Sequence, residues 1–387
     1  MKKPNIPLTR DTIDYDDLKH ISDWILSVPR LTKGNVTIEF EKKWAEWTGT
    51  KYSIMVNSGS SANLLALYAA KVAGKFKNNK IIVPALSWAT TVTPLFQLGF
   101  EPILCETDKN NLGVCTKHLE ELINEHEPAG LILVHVLGFP CDMKTINRLC
   151  KDSNTVVIED SCETVGSKIG TQKTGTFGLC STFSLYFGHH VSTIEGGMIC
   201  TDDEEIRDML LMLRSHGWDR DLSKDKQTSL RKKYNVSDFH ALYTFYVPAF
   251  NVRSTDLQAK IGLRQIEKLD QIVEKRNKNY LQYQSEIKND FWMPKPASEN
   301  YISSLAYPVI TPSRKKVVEA LIENGIETRP LVCGSIGLQP FWIERYGEQH
   351  FDFADQVHDF GLYVPNNHEM SEDEISFVAE TINKAIK

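Results

Sequence analysis

Two adjacent histidines, His189 and His190, stand in "FSLYFGHHVSTIEGGM" (183–198), between an apolar run and a glycine pair. Imidazole titrates near pH 6.5, so either ring could take up and release a proton under neutral conditions. Asp160 closes the apolar run "VVIED" (156–160), where a carboxylate could pair with the protonated ring nitrogen of a heterocycle. "NSGSSANLLAL" (57–67) passes through Gly59 and Ser60 straight into helix-forming residues. Free N–H groups at such a helix start, with hydroxyls beside them, make a ready anion site. Trp88, in "LSWATT" (86–91), follows another apolar run and could stack on a flat ring, and Ser184 lies just before the histidines. Each also has an ordinary explanation: helix capping by Ser58 or Ser60, an N-cap or ion pair at Asp160, a core tryptophan, two loop histidines without a role.

The elements around them decide whether they can meet. Short apolar runs at 80–85, 101–106, 130–136, 155–160, 181–187 and 197–202 read as strands, several continuously apolar as in a sheet covered on both faces. Helical patterns at 60–74, 117–126 and 143–152 alternate with them, which predicts an α/β fold with a mostly parallel sheet. Ligands in such sheets gather at the carboxyl ends of the strands, and every candidate above falls at a strand end. Phosphate grip, carboxylate, aromatic plate and base together describe a pyridoxal-type site. Past Asp202 a helix is expected over 203–218, a long polar surface loop over 219–240 and a long helix over 255–287. We expect a large cofactor-binding α/β domain over 1–250 and a smaller α+β domain over 251–387, with the N-terminal ~30 residues packing across the latter.

The charge balance of −6 gives no reason to expect nucleic acid or an anionic membrane as partner, so a phosphorylated ligand must be held by local donors. The eight cysteines include no C-x-x-C pair, which fits reduced thiols in the cytoplasm. The start, "MKKPNIPLTRDTIDYDD", lacks the apolar core of a signal peptide, and no run approaches the ~20 apolar residues of a membrane span.

The chain resembles the DegT-type sugar-nucleotide aminotransferases, which have the aspartate-aminotransferase fold (fold type I). The resemblance rests on "LTKGNVTIEFEKKWAEWTGTKYSIMVNSGSSANLLAL", "FNVRSTDLQAKIGLRQIEKLD" (250–270), "GIETRP" (325–330) and "YVPNNHEMSEDEISFVAETI" (363–382). It implies that Asp160 pairs with the pyridine nitrogen of the cofactor, Trp88 stacks on its ring, and Gly59, Ser60 and Ser184 hold its phosphate. Glu163 stands where most members have glutamine near the ring hydroxyl. Asn251 matches an asparagine that reaches the phosphate in the neighbouring subunit, which implies a homodimer with shared active sites. His216, Trp218 and Arg329 are candidate sugar or nucleotide contacts, with structural roles equally open.

One departure carries the functional expectation. The family places a lysine a fixed distance before Glu195–Gly196–Gly197, and "HHVSTIEGG" puts His189 there, with His190 one place later in a supporting role. A lysine amine bonds covalently to pyridoxal phosphate, and an imidazole cannot. The cofactor must then be held non-covalently, resting as pyridoxamine phosphate, while histidine still moves protons. A branch of the family that carries a histidine at this place, the sugar 3-dehydratases, divides into an iron–sulfur group with a C-x-C among its cluster ligands and a cluster-free group. This chain has no C-x-C and resembles the second, which implies removal of the C3 hydroxyl of GDP-4-keto-6-deoxymannose toward colitose, L-glutamate as amino donor, ammonia released and no metal. The alternatives are a sugar-nucleotide 4-aminotransferase working without its lysine and a non-catalytic cofactor-binding relative.

Overall fold

The apolar runs assemble into one seven-stranded sheet, seen in a computed structural model that describes residues 6–387. Its strands are β1 (Tyr52–Val56), β2 (Lys80–Pro84), β3 (Glu101–Cys105), β4 (Gly130–Val134), β5 (Val156–Asp160), β6 (Cys180–Ser184) and β7 (Gly197–Thr201). They lie in the order β1-β7-β6-β5-β4-β2-β3, with β7 antiparallel to both neighbours and the pairs from β6 to β3 parallel. β1, which the hydrophobic pattern did not single out, completes one edge. Successive side chains feed opposite faces, so Ile81 and Val83 join a core different from that of Ile82.

Helices cover both faces. α1 (Tyr15–Leu26), α2 (Asn35–Thr48), α3 (Gly59–Val72), α4 (Ala89–Gln97), α5 (Thr116–His126), α6 (Met143–Asp152) and α7 (Glu204–Leu213) follow in chain order. α3 approaches the sheet closely because Ala62, Ala66, Ala69 and Ala70 are fully buried and small. Its start is fixed by Ser58, whose hydroxyl accepts from the Ser61 N–H at 3.1 Å.

Two expectations are corrected here. The helix expected over 203–218 ends at Leu213, because His216 and Gly217 adopt φ of 61° and 85°, a left-handed turn no helix tolerates. The surface loop expected over 219–240 holds two helices, α8 (Lys224–Lys233) and α9 (Asp238–Ala241). α8 escaped the hydrophobic pattern because it is polar nearly all round, with Gln227 its one buried residue. It is held by a Ser223 cap and by an ion pair from Arg231 to the fully buried Asp219 at 2.8 Å.

α10 (Asp256–Glu286) spans 31 residues, opened by a capping box between Thr255 and Gln258. It leads to a three-stranded antiparallel sheet of β8 (Ala306–Ile310), β9 (Arg329–Pro330) and β10 (Gly361–Pro365), in the order β8-β10-β9. The N-terminal segment lies along this part: Ile6 bridges Ile326, and Arg10 pairs with Glu369 and Glu374. Residues 1–5, at the head of the stretch examined for a signal peptide, lie outside the described residues. Among those described, no helix is long and apolar enough to cross a membrane, and no three His, Cys, Asp or Glu side chains are grouped to hold a metal.

Candidate active site

The carboxyl ends of β1, β2, β4, β5 and β6 open onto one cavity of about 450 Å³, of a size suited to a small cofactor. Its floor is Asp160. Oδ2 accepts from Asn63 Nδ2 and the Thr91 hydroxyl, both at 2.8 Å, and Oδ1 accepts from the Cys162 N–H at 3.1 Å. Three donors converging on one carboxylate fix its orientation.

Gly59, Ser60 and Ser184 line the same cavity. Gly59 opens α3, so its N–H and that of Ser60 belong to the first turn, which has no intrahelical acceptor. A Cβ on Gly59 would collide with Ser184 Cβ, and one on Gly197 would collide with the Ser58 carbonyl oxygen. The cradle therefore requires glycine at both places, which explains physically why Gly197 follows the histidine loop. Trp88 is 57% exposed, which excludes the core reading; its ring stands free on the cavity wall at the start of α4.

Glu163 enters from the turn after β5 and accepts the Leu137 N–H at 2.7 Å. Burial pushes its carboxyl up to about 7; the nearby Asp160 charge adds to this and the Leu137 bond opposes it. At neutral pH a large share of Glu163 is thus a neutral acid, an O–H donor shaped like the glutamine it replaces. Ionisation of a group whose folded pKa is raised costs stability as pH rises between the unfolded and folded values. Glu163→Gln should therefore melt progressively higher than wild type as pH rises from about 4.5 to about 7, and should lose less cofactor affinity over that range. Differential scanning fluorimetry and cofactor titration at several pH values check this.

The two histidines diverge. His189 lines the cavity, and its Nδ1 is buried without a partner. Burial pushes its imidazole down to about 4, the Arg276 guanidinium acting in the same sense and Asp160 against it. The ring is therefore neutral, with a basic nitrogen free to take a proton. His190 points away, fully buried, and its Nε2 meets the Ser303 carbonyl at 3.0 Å. It bolts the loop to the segment before β8. The same loop holds Ile194 at φ 70°, a costly conformation for a β-branched residue.

Arg329 reaches the cavity mouth on β9, paired with Glu327, whose other oxygen accepts the Leu8 N–H at 3.0 Å. Three expected contacts are not among the lining residues. His216, Trp218 and Asn251 sit together outside the cavity, joined by a bridge between Ser215 and Asn251 and by a 4.9 Å ring contact between His216 and Trp218. Sequence reasoning missed Asn63 and Thr91, which orient Asp160. A polar Asn63 amid the alanines and leucines of α3 was the available signal. Tyr363 on the cavity wall carried no distinguishing pattern.

The cavity suits a phosphorylated pyridine: an anion cradle that a Cβ would fill, a fixed carboxylate, an exposed indole and an orphaned imidazole nitrogen. A model of the DegT/DnrJ/EryC1/StrS aminotransferase family matches residues 12–383. The chain belongs to this family. Within it, the chain is 33% identical over 386 residues to the GDP-4-keto-6-deoxy-D-mannose 3-dehydratase of Yersinia pseudotuberculosis, covering 94% of both chains. It is 34% identical over 398 residues to the enzyme of the same name from Escherichia coli O55:H7, covering 98% of this chain and 99% of the other. A GDP-perosamine synthase from Escherichia coli O157:H7 is 27% identical over 382 residues, covering 98% of each. A solved GDP-4-keto-6-deoxymannose-3-dehydratase with a trapped PLP-glutamate geminal diamine superposes with a TM-score of 0.87 at 32% identity, over 98% of this chain and all of that one. The fold is therefore that of the fold type I aminotransferases, as the resemblance implied.

Proposed function

We infer that the protein is a PLP-dependent 3-dehydratase that removes the C3 hydroxyl of GDP-4-keto-6-deoxy-D-mannose, with L-glutamate as amino donor. The observation that carries this reading is His189, a neutral imidazole with a free, buried Nδ1 in the place the family gives to lysine. The full-length relatives named for this reaction support it, and one solved relative holds GDP-perosamine.

Bound as pyridoxamine phosphate, the cofactor supplies a primary amine for the C4 ketone and a ring that accepts an electron pair. Asp160 would pair with the ring nitrogen and keep it protonated. Trp88 would cover one face of the ring and exclude water from it. Gly59, Ser60 and Ser184 would receive the phosphate. Glu163 would donate to the ring hydroxyl. His189 removes a proton at the cofactor's C4′ and delivers one to the departing C3 hydroxyl, serving as base and then acid. The balance closes with glutamate alone: glutamate and the 4-keto-6-deoxy sugar give 2-oxoglutarate, ammonia and a ketone one oxygen lighter. Glutamate is oxidised by two electrons and C3 is reduced by two, so no further reductant enters.

The site is shared between two copies of the chain in this reading. The partly buried His216 and Trp218 and the exposed Asn251 form one group outside their own cavity, next to the exposed rings of Tyr243 and Phe245. The group is suited to complete a partner's site. Mixing inactive His189→Asn and Asn251→Ala proteins should then restore about a quarter of wild-type activity, since half the dimers are mixed and each has one intact site. No recovery after subunit exchange would show unshared sites. The dehydration itself is tested by incubating enzyme, cofactor, sugar nucleotide and glutamate. The reading requires a product one oxygen lighter with 2-oxoglutarate formed in equal amount; a nitrogen-containing sugar would support the aminotransferase alternative.

A further inference from the structure

Arg276 lies on α10, outside the cavity lining, and is 2% exposed. A buried guanidinium ordinarily finds a carboxylate, because an uncompensated buried charge is costly. The acceptors of Arg276 are all main-chain carbonyls. One terminal nitrogen donates to Ser304 at 3.4 Å, to Leu305 at 2.8 Å and to Asn366; the other donates to His189 at 3.3 Å. Leu305 is a cavity-wall residue, Asn366 follows β10, and His189 is the proton-moving group. Asn366 in turn donates through its amide to the Arg276 and Ser304 carbonyls, closing the network.

We propose that Arg276 is the positioning residue of the reaction: its planar fork ties the His189 main chain to the opposite cavity wall and so sets the height of the His189 ring. The inference rests on His189 acting as the proton-moving group. Three imidazoles feel the guanidinium: His189 and His190 from the loop after β6, and His368 from the segment after β10. Burial is the larger cause of their resistance to protonation, and the arginine charge adds to it in all three. The other groups facing His189 are Asp160, Cys162 and Glu163 from β5 and its following turn, Tyr186 from its own loop, and His190. Of these the Cys162 main chain and the Asp160 carboxylate pull toward protonation, and the arginine charge adds to burial against them. A lysine could keep the charge but not the fork that ties three segments together.

The test uses the cofactor-loaded enzyme with histidine isotopically labelled, the His189 resonance being assigned by its disappearance in His189→Asn. Arg276→Gln should raise the pH at which that ring titrates, and the acid limb of kcat/KM with it. Arg276→Lys should keep the wild-type titration while turnover falls about tenfold. An unmoved titration in a folded Arg276→Gln protein overturns the proposal. Should that variant not fold, Arg276→Lys decides alone: a moved titration or wild-type turnover overturns it. The titration needs no turnover, so an error in the assigned reaction leaves this result readable.

Discussion

His189→Asn is expected to leave a folded protein that still binds its cofactor and has lost roughly 10³-fold or more of its dehydration rate. Asparagine has similar reach but no nitrogen that accepts a proton at neutral pH. The main-chain bonds that hold the loop, His189 N–H to Tyr186 and Arg276 to the His189 carbonyl, do not involve the ring. The cradle at Gly59, Ser60 and Ser184 is likewise untouched, so cofactor absorbance should persist while product formation stops. Stability gives an independent signature. The imidazole titrates near 6.5 when unfolded and about 4 when folded, so the folded state binds fewer protons between those values. Wild type therefore loses stability as pH falls through that window and the variant does not. Tm of His189→Asn relative to wild type should rise from about pH 6.5 to about pH 4. Full 3-deoxy sugar formation by this variant would contradict the assigned role.

Asp160→Asn is the second large effect. An amide cannot hold a ring nitrogen in its protonated state, so the electron-accepting power of the cofactor is lost with the charge. A loss of about 10³-fold in kcat/KM is expected. The protein should suffer as well, because Asn63, Thr91 and the Cys162 N–H all donate to this carboxylate. An asparagine at this place sets one amide N–H₂ against donors already pointing inward, at a cost of about 1–3 kcal/mol. Steady-state kinetics and thermal melting together check it; activity within tenfold of wild type would show that Asp160 does not serve the ring nitrogen.

The sheet was legible because its strands are buried on both faces and several therefore write continuous apolar runs, as at 130–134. The candidate site was legible where chemistry and strand ends coincide: Asp160, Trp88, Ser184 and His189 all line one cavity. Between the two histidines, only counting back from Glu195 favoured His189, and the structure separates them by burial and direction. Legibility failed where no apolar period exists. α8 is polar on nearly every side, so its sequence looks like loop. The turn at His216–Gly217 depends on left-handed backbone that a helical pattern does not reveal. Arg276 lies in a charged stretch, "EKRNKN", that reads as a solvated helix face; its burial arises from the carbonyls of distant segments folding over it. Asn251, His216 and Trp218 lie outside the cavity of their own chain, and the subunit-mixing experiment tests whether they complete a partner's site.

The central claim is that an imidazole at position 189 turns amino-group transfer into loss of a hydroxyl. Incubation of the enzyme with GDP-4-keto-6-deoxymannose and nitrogen-15 L-glutamate tests it most directly. The account predicts that the heavy nitrogen appears in free ammonia, in equal amount with 2-oxoglutarate, and that the sugar product contains none. Heavy nitrogen retained at C4 of the sugar would contradict it.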